Sequence, residues 1–433
     1  MKKRYNSLQR NLFLFILPFL IAGCGQQNGN GNDALVYWSS NNSYEIQFSK
    51  VVVDKWNAAH PDQPVHSQPV PEGQSSEEVI LAAVVGKTTP DIYSNMWQGD
   101  VEAYAQAKKL VALDTLPGFL KFIYQRCDSA VVAEVTSGDG HIYQIPWKIN
   151  PIMQIYNKKA FNAMDFEHAP STYSEYLEAG QRFQKDADGD GYVDHWIGYA
   201  NVQVTWWQRF FDFYSLYLAA SNGGSLVKNN QIVFDNEYAV ETFAFLQKLY
   251  EKNYFSKERL DARQDAFLSG VIATRFTGSW EITRAERFKP EGFEYDFYHL
   301  PVPDDHRGPI YTYADPKNIV IFNTCKNPRA AWGFLKFMID KENDRRFLKI
   351  TNQLPRRKDI FKDPYFAAYF EENPKMHTFA KQSKYVRGTD LCPVLKEVFD
   401  AISQEYEACV VYGVKTPEQA INDAAQAARL LLQ

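Results

Sequence analysis

Cysteine and an excess of charge of either sign are both scarce in this chain of 433 residues. Four of its five cysteines lie far apart and form neither a Cys-x-x-Cys pair nor a cysteine–histidine spacing typical of zinc sites. The formal net charge is only −5, so the composition gives no reason to expect nucleic acid as a partner. Nucleophile motifs, phosphate-binding loops and dinucleotide fingerprints are also missing from the sequence. These absences argue against a zinc protein, a nucleic-acid-binding protein and a nucleotide-dependent enzyme.

The apolar run near the N-terminus is short. Residues 12–23 are apolar over 12 positions, too few to span a bilayer, and they follow a cationic segment at 1–11. The run ends in Ile-Ala-Gly-Cys, which resembles a bacterial lipobox with Cys24 as the lipidated residue. The pattern predicts a lipoprotein signal peptide at 1–24 and a flexible polar tether at 25–33. The alternative is an ordinary signal peptide that is cut nearby.

These features predict an exported lipoprotein, anchored in a membrane and facing the periplasm or the cell exterior. Export permits disulfides. The sequence leaves open whether Cys127, Cys325, Cys392 and Cys409 pair or stay as buried thiols.

Aromatic residues are abundant, and the mature chain alternates strands with helices. There are 9 Trp, 26 Tyr and 30 Phe, enough to fill a large core and to line a binding surface. Residues 34–40 read as a buried strand, and 43–61 as an amphipathic helix that stops at a proline. A second strand, a second helix and a third strand follow, and the third strand begins near Asp91. This pattern predicts an α/β fold with an open, mostly parallel sheet and ligands at the C-terminal ends of its strands.

Four stretches, in order, resemble one family. They are PDIYSNMWQGDVEAYAQAKKLVALD (90–114), GHIYQIPWKINPIMQIYNKKAF (140–161), GVIATRFTGSW (270–280) and NPRAAWGFLKFM with NQLPRRKDI (327–338 and 352–360). The set is similar to the extracellular solute-binding proteins of ABC importers, in the carbohydrate-binding branch that includes the maltodextrin-binding protein.

The resemblance implies a two-lobe periplasmic-binding-protein fold of type II, with a hinge and a ligand cleft between the lobes. Lobe 1 is predicted at 34–150 plus 316–342, and lobe 2 at 151–315 plus 343–433. The implied function is to bind a mono- or oligosaccharide without catalysis and to deliver it to the permease subunits of an ABC transporter by hinge closure.

Trp280 is the leading candidate for the sugar site. A sugar ring has weakly apolar C–H faces and polar edges, so its pockets need aromatic faces beside carboxylates and amides. Trp280 ends the third stretch, where the family's tryptophan faces the cleft; the alternative is a tryptophan that packs in the core near the hinge. Further candidates follow predicted strand ends or match the family's ligand-contacting positions: Trp38, Asn41, Glu45, Asn95, Trp97, Asp100, Trp147, Trp207, Tyr313 and Asp315.

Other residues are assigned differently. One of Trp206 and Trp207 is expected in the core and the other in the cleft. Trp332 lies on an amphipathic helix face and is assigned to the core. Arg356 and Arg357 either cap the cleft or lie on the surface.

An acidic loop, DADGDGYVD at 186–194, predicts a structural Ca²⁺ site. Asp186, Asp188 and Asp190 occupy positions 1, 3 and 5 of a calcium loop, and Tyr192 and Asp194 occupy positions 7 and 9. Position 12 is Ile197 where an EF-hand has glutamate, so the full signature is absent. The alternative is a solvated acidic loop.

Alternative functions remain open at this stage. A binding protein for a polyamine or another small solute would use the same fold with more acids around its aromatics. A surface glycosidase would need two carboxylates at a fixed separation, and no glycosidase motif occurs. A starch-type lipoprotein made of helical repeats is disfavoured because no repeat is visible.

Overall fold

A computed structural model describes residues 34–73, 75–260 and 264–433 of the chain. The predictions for the signal peptide, for lipidation of Cys24 and for the tether at 25–33 lie outside the described residues. The described part of the chain contains no helix that is long and apolar enough to cross a membrane.

The described strands are mostly short. In chain order they are β1 (Leu35–Ser39), β2 (Val65–Pro69), β3 (Ile92–Trp97), β4 (Ile145–Ile149), β5 (Met153–Asn157), β6 (Val227–Lys228), β7 (Gln231–Ile232), β8 (Thr274–Thr277), β9 (Tyr295–Tyr298), β10 (Thr312–Tyr313), β11 (Lys317–Ile321), β12 (Leu354–Pro355) and β13 (Val386–Arg387).

Helices occupy most of the remaining length. They are α1 (Ser43–Ala59), α2 (Ser76–Gly86), α3 (Gln98–Gln106), α4 (Phe119–Arg126), α5 (Ser129–Glu134), α6 (Lys158–Ala163), α7 (Tyr173–Phe183), α8 (Phe213–Ala220), α9 (Glu237–Glu251), α10 (Trp280–Phe288), α11 (Pro328–Met338), α12 (Lys341–Thr351), α13 (Pro364–Glu372), α14 (Pro374–Gln382), α15 (Leu395–Tyr406) and α16 (Pro417–Leu431). Short 3₁₀ helices at Leu113–Thr115 and Trp206–Phe210 and a π-helix at Glu407–Val411 complete the set.

Helix ends follow local sequence signals. The side chains of Ser75, Thr172 and Asn327 accept hydrogen bonds from backbone amides of the first turn, as their cap positions predict. Thr416 and Gln419 form a complete capping box at the start of α16. Helix α2 ends at Gly86, and the left-handed residue that follows it is Lys87.

The largest sheet has six strands in the order β12-β4-β11-β3-β1-β2. Strands β2, β1 and β3 are parallel, as the strand–helix alternation predicts, whereas β11, β4 and β12 pair antiparallel. The prediction of a mostly parallel sheet is therefore wrong. The reason is that β11 inserts between β3 and β4 and runs against both, and that β12 runs in the same direction as β11.

A second sheet belongs to the other lobe. It has the order β8-β5-β9 and is antiparallel throughout. Aromatic and aliphatic side chains of α7, α8, α9, α15 and α16 form a large core in the same lobe. The predicted lobe boundaries stay predictions. Helix α12, which spans the predicted boundary at residue 342, packs on α1 with Phe347 in the core of the first sheet.

All four cysteines of the described residues are buried free thiols. The question that the sequence left open is thereby answered: Cys127, Cys325, Cys392 and Cys409 form no disulfide with one another in the structure. Trp332 is only 2% exposed and packs between helices, so its assignment to the core is confirmed.

Candidate binding cleft

A cavity of about 380 Å³ lies between the six-stranded sheet and the segments around Trp206 and Trp280. Its wall comes from the first turns of α1 and α2, from the C-terminal end of β3, from β4, and from the 3₁₀ helix at Trp206–Phe210 and the start of α10. Tyr313 and Asp315, in the segment that enters β11, complete it. Its volume falls in the ordinary range of small-molecule sites. We call this cavity the cleft.

Two ion pairs lie in the cleft wall. Lys148 and Glu45 form a short ion pair, and each side chain is 3% exposed. Gln353 Nε2 donates to Glu45 Oε1 at 2.8 Å. Lys317 Nζ lies 3.3 Å from Glu77 Oε1. Buried charges persist only when they are paired, so both lysines are already neutralised by the protein.

Burial and pairing shift the pKa values of these groups. Burial lowers the pKa of Lys148, although the carboxylate of Glu45 opposes that shift. Burial alone would lower the pKa of Lys317 as well, but Glu77 and Asp315 outweigh burial and raise its pKa. Burial alone would raise the pKa of Glu77, and Lys317 outweighs it and lowers that pKa. The Glu77–Lys317 pair therefore stays charged at neutral pH.

One hydrogen-bond acceptor of the cleft is unused. Glu45 Oε2 is buried and has no hydrogen-bond partner among the described residues. A buried acceptor without a donor is costly, and a hydroxyl group of a ligand would satisfy it.

Much of the cleft wall is aromatic. The rings of Trp97 and Trp206 are 4.8 Å apart at 45°, and Trp280 meets Phe211 edge-on at 6.2 Å. Trp207 is 39% exposed, which is unusual for a tryptophan. Exposed ring faces beside carboxylates and amides can cover the C–H face of a sugar ring while the polar groups take its hydroxyls.

Glycines hold two of these tryptophans in place. A Cβ atom at Gly278 would lie 2.1 Å from the ring of Trp280, and one at Gly99 would lie 2.2 Å from the ring of Trp97. Each indole therefore folds back over a backbone that has no side chain. Ser279, between Gly278 and Trp280, donates its hydroxyl to Asn150 Oδ1 at 3.0 Å, which ties this turn to the segment after β4.

Asp315 sits in an unusual backbone conformation, with φ of 38° directly before Pro316. A left-handed residue other than glycine is strained, and such strain concentrates at functional sites. Burial raises the pKa of Asp315, with Lys317 and Lys148 opposing the shift. Its nearest cation is Lys317, with Nζ at 3.8 Å from Oδ1.

The match to known proteins covers most of the chain. Residues 52–378 match the family model described as bacterial extracellular solute-binding protein. This chain belongs to that family. Because the family is extracellular, the protein is exported, and because it is a family of binding proteins, the protein is not an enzyme.

Individual relatives of this solute-binding protein are distant. It is 23% identical over 332 residues to the sn-glycerol-3-phosphate-binding periplasmic protein of Pectobacterium atrosepticum, with 71% of each chain covered. It is 22% identical over 341 residues to the maltotriose-binding protein of Pyrococcus abyssi, covering 77% of this chain and 69% of the relative.

The crystal structure of the cyclic alpha-maltosyl-1,6-maltose binding protein from Arthrobacter globiformis superposes with a TM-score of 0.76. The two chains are 21% identical, and the match covers 93% of this chain and 99% of the other. The predicted α/β, two-lobe periplasmic-binding-protein fold is thereby confirmed.

Many of the predicted site residues of the solute-binding protein line the cleft together. They are Glu45, Asn95, Trp97, Trp207, Trp280, Tyr313 and Asp315. They come from five separate segments that only the fold brings together. Their role in binding stays a prediction.

The other predicted site residues do not line the cleft. Trp38 packs in the core beside the first sheet, Trp147 is 1% exposed against Phe48 and Phe347, and Asn41 is exposed. Asp100 pairs with Lys396 Nζ at 2.6 Å. The physical reason is strand alternation and helix direction: Trp147 and Lys148 point to opposite faces of β4, and Lys148 faces the cleft.

Several cleft residues were not predicted from the sequence. They include Asn42, Ser76, Glu77, Lys148, Asn150, Trp206, Phe210, Phe211, Lys317 and Gln353. A signal existed for some, since Asn42 and Ser76 begin helices that follow strands, where ligands bind in α/β sheets. Trp207 lines the cleft as predicted, and Trp206 lines it as well while its ring packs against the core of the second lobe.

The acidic loop lies outside the cleft. Carboxylate oxygens of Asp186, Asp188 and Asp194 lie within 4.8 Å of one another. The amides of Gly189 and Gly191 donate to Asp186 at 2.7 and 2.9 Å. Three carboxylates held this close repel one another unless a cation lies between them.

Asp190 and Tyr192 stand apart from that cluster. Asp190 accepts the amide of Tyr192 at 2.8 Å, and the side chain of Tyr192 is 77% exposed. Ile197, at position 12 of the loop pattern, is fully buried in the core of the second lobe.

Proposed function

We propose that this solute-binding protein binds a neutral mono- or oligosaccharide in its cleft and delivers it to the permease of an ABC transporter by hinge closure. The observation that carries the proposal is the wall of the cleft, where tryptophan rings, one of them exposed, lie beside charges that are already paired. Neutral sugars require this combination of stacking surfaces and hydrogen-bonding groups.

The charges of the cleft argue against an anionic solute. Both lysines of the wall are engaged by carboxylates, and no arginine lines the cleft among the described residues. A phosphate ester such as sn-glycerol 3-phosphate, the ligand named for the Pectobacterium relative, is bound best by an unpaired cation or a bidentate arginine. The ligand named for the Pyrococcus relative, maltotriose, is neutral and suits the tryptophan-lined wall better.

A polyamine is the second candidate in the same cleft, because Glu45, Glu77 and Asp315 outnumber the two lysines. Two of these three acids are neutralised by Lys148 and Lys317, which leaves Asp315 alone for a polycation. We therefore place the sugar first. A surface glycosidase is not proposed, since the family is one of binding proteins.

We further propose that Cys24 carries a lipid anchor. The support is the sequence pattern that precedes this residue, and metabolic labelling with a radiolabelled or alkyne fatty acid tests it. The expected result is label on the wild-type protein and none on Cys24→Ala. Equal labelling of both proteins would contradict the anchor.

The acidic loop is proposed as a structural Ca²⁺ site with Asp186, Asp188, Asp190 and Asp194 as carboxylate ligands and the carbonyl of Tyr192 as a further ligand. Oxygen ligands from alternate loop positions are what Ca²⁺ prefers. Because Ile197 cannot supply the bidentate carboxylate of an EF-hand, affinity in the range of extracellular calcium modules, about 10⁻⁴ to 10⁻³ M, is expected.

The experiment that tests the main proposal is a ligand titration of the protein from Ala34 onward, which forms a compact unit. Melting temperature is measured against mono- and maltooligosaccharides, glycerol 3-phosphate and spermidine. A ligand at a hundred times its Kd adds about 2.7 kcal/mol of apparent stability. A shift with a sugar supports the proposal, and a shift with spermidine or glycerol 3-phosphate but with no sugar would overturn it.

Two tryptophan variants sharpen the titration. Trp280→Ala is expected to abolish the sugar-induced shift while its own melting temperature stays near that of the wild type. Trp332→Ala removes a core tryptophan and is expected to cost about 3–5 kcal/mol of stability while sugar binding persists in the folded fraction. A large loss of stability in Trp280→Ala would make this residue a core tryptophan instead.

A further inference from the structure

A second cavity, larger than the cleft, lies on the other face of the same strands. Its volume is about 580 Å³. Lys148 of β4 lines the cleft, whereas the next residue, Ile149, lines the second cavity. Where the chain enters β12, Gln353 lines the cleft and Leu354 lines the second cavity. Since successive side chains of a strand point to opposite faces, β4 separates the cavities, and we call the second one the back cavity.

The walls of the back cavity come from distant parts of the chain. Val131 and Glu134 of α5 form one side. The segment after β12 contributes three consecutive basic residues, Arg356, Arg357 and Lys358. The segment that enters β13 contributes Lys384 and Arg387, while Leu354, Ile360 and Phe361 supply apolar surface.

Positive charge outweighs negative charge in these walls. The cavity is lined by five cationic side chains and by the acids Asp128, Glu134 and Asp359. Glu134 accepts hydrogen bonds from Gln98 Nε2 and from the amide of Gly388, both at 3.2 Å. Asp359 pairs with Lys362 at 3.1 Å. Asp128, at the start of α5, is therefore the acid that faces the cavity without such a partner.

Three of the five cations are held by the protein. Arg357 pairs with the buried Asp344 at 2.6 Å, and Arg387 donates to the carbonyl of Gly223 at 2.8 Å. Lys358 donates to the carbonyl of Tyr124 at 3.2 Å.

The remaining two cations, Arg356 and Lys384, form no ion pair with any described residue, although Lys384 lies 5.1 Å from the ring of Phe361. Arg356 is only partly exposed, and the small cavity beside Glu134 also borders it. A half-buried guanidinium without a carboxylate partner is a ready site for an anion, because it offers paired donors in a fixed plane.

We propose that the back cavity is a second ligand site and that it takes a small organic anion, with a carboxylate or phosphate group held by Arg356 and Lys384. The apolar surface of Leu354 and Phe361 covers the body of the ligand. The site differs from the cleft in charge, since the lysines of the cleft are neutralised and the two cations named here are not.

The test is isothermal titration calorimetry of the purified protein at constant ionic strength with citrate, glycerol 3-phosphate and inorganic phosphate. We expect saturable binding of at least one of the two organic anions. In the double variant Arg356→Gln with Lys384→Gln, binding is expected to weaken about tenfold or more, as the loss of charge-assisted hydrogen bonds implies. The matched control, Lys50→Gln, removes an exposed charge that does not line the cavity and is expected to leave binding unchanged.

Three outcomes would overturn the proposal. They are the absence of saturable binding by all three probes, equal binding by the double variant and the wild type, and displacement of the anion by a saturating cleft ligand. Inorganic phosphate that binds as tightly as the organic anions would reduce the site to a free-anion site and would contradict the organic ligand.

Sugar titration of the double variant keeps this test separate from the main proposal, since the cleft is untouched and its binding is expected to be unchanged. Lys384→Gln alone, at an exposed position, serves if the double variant fails to fold.

Discussion

At the scale of single residues, two glycines determine the positions of two tryptophan rings in the cleft wall. Trp280 and Trp97 each fold back over a glycine two positions away, and their rings occupy the space of the missing Cβ. The aromatic wall of the cleft therefore depends on Gly278 and Gly99 as much as on the tryptophans themselves. The sequence predicted Trp280 and Trp97 as site residues. It did not predict that their ring positions depend on these glycines, because the direction in which an indole ring turns is decided by the tertiary structure.

Gly278→Ala is expected to weaken sugar binding about tenfold or more. The added methyl group lies 2.1 Å from the present ring position, so Trp280 has to leave its place in the wall. Calorimetric titration with the sugar that gives the largest melting-temperature shift measures the effect. Gly86→Ala is the matched control, since its Cβ meets only Thr88 Oγ1 at 3.6 Å. Unchanged affinity in Gly278→Ala would contradict the link between glycine and ring position.

Asp100 is a buried carboxyl group with a shifted pKa. Burial raises its pKa to about 6, although Lys396 opposes the shift; Glu77 raises it slightly and Lys317 lowers it slightly. A carboxyl whose pKa is higher in the folded protein stabilises the fold at low pH, and this contribution is lost as pH rises through about 6.

Asp100→Asn should therefore remove a pH dependence. The stability of the wild type relative to the variant is expected to fall as pH rises from about 4 to 6, by about 2.7 kcal/mol for a shift of about two pKa units. Urea unfolding of both proteins across this range measures the difference. Parallel stability curves would show that Asp100 titrates normally.

At the scale of elements, the acidic loop shows what a motif can and cannot specify. The sequence gives the spacing of Asp186, Asp188 and Asp194, and the structure brings their oxygens together. The spacing alone does not tell whether Asp190 turns toward the cluster, and in the structure it caps the amide of Tyr192. The loop is the element whose stability should depend on a cation.

Removal of calcium with a chelator is expected to lower the melting temperature of the wild type. At Ca²⁺ a hundred times the Kd, the ion contributes about 2.7 kcal/mol. The variant Asp186→Asn with Asp188→Asn should show a much smaller calcium dependence, while Asp54→Asn, an exposed change on α1, should behave as the wild type. The site would be contradicted if the melting temperature changes with neither chelator nor Ca²⁺ and elemental analysis detects no metal.

At the scale of the whole molecule, the cleft and the back cavity share the strands that separate them. Lys148 of β4 and Gln353, directly before β12, line the cleft, whereas Ile149 and Leu354 line the back cavity. A ligand that contacts both walls of the cleft favours the closed arrangement of the lobes over the open one, by as much as its affinities for the two states differ.

Binding of the sugar is therefore expected to reduce the radius of gyration measured by small-angle X-ray scattering. Trp280→Ala at the same sugar concentration is the control and should keep the larger value. A radius that does not change when calorimetry shows the cleft to be saturated would contradict hinge closure.

The sequence by itself determined the local elements and the family. Cap residues such as Thr416 and Asn327 act within a single turn, and the alternation of strands with helices specified the parallel half of the large sheet. Such signals need only neighbours along the chain, which is why they can be read without coordinates. The ordered motifs pointed to the solute-binding family, and the match over residues 52–378 agrees.

Tertiary structure alone decided which faces of those elements meet. It turned Lys148 rather than Trp147 toward the cleft, paired Asp100 with Lys396, and ran β11 and β12 antiparallel. It also placed Arg356 in the back cavity, which no sequence motif predicts. The physical reason is that a one-residue difference in a strand reverses the direction of a side chain, and contacts between residues hundreds of positions apart leave no periodic trace in the sequence.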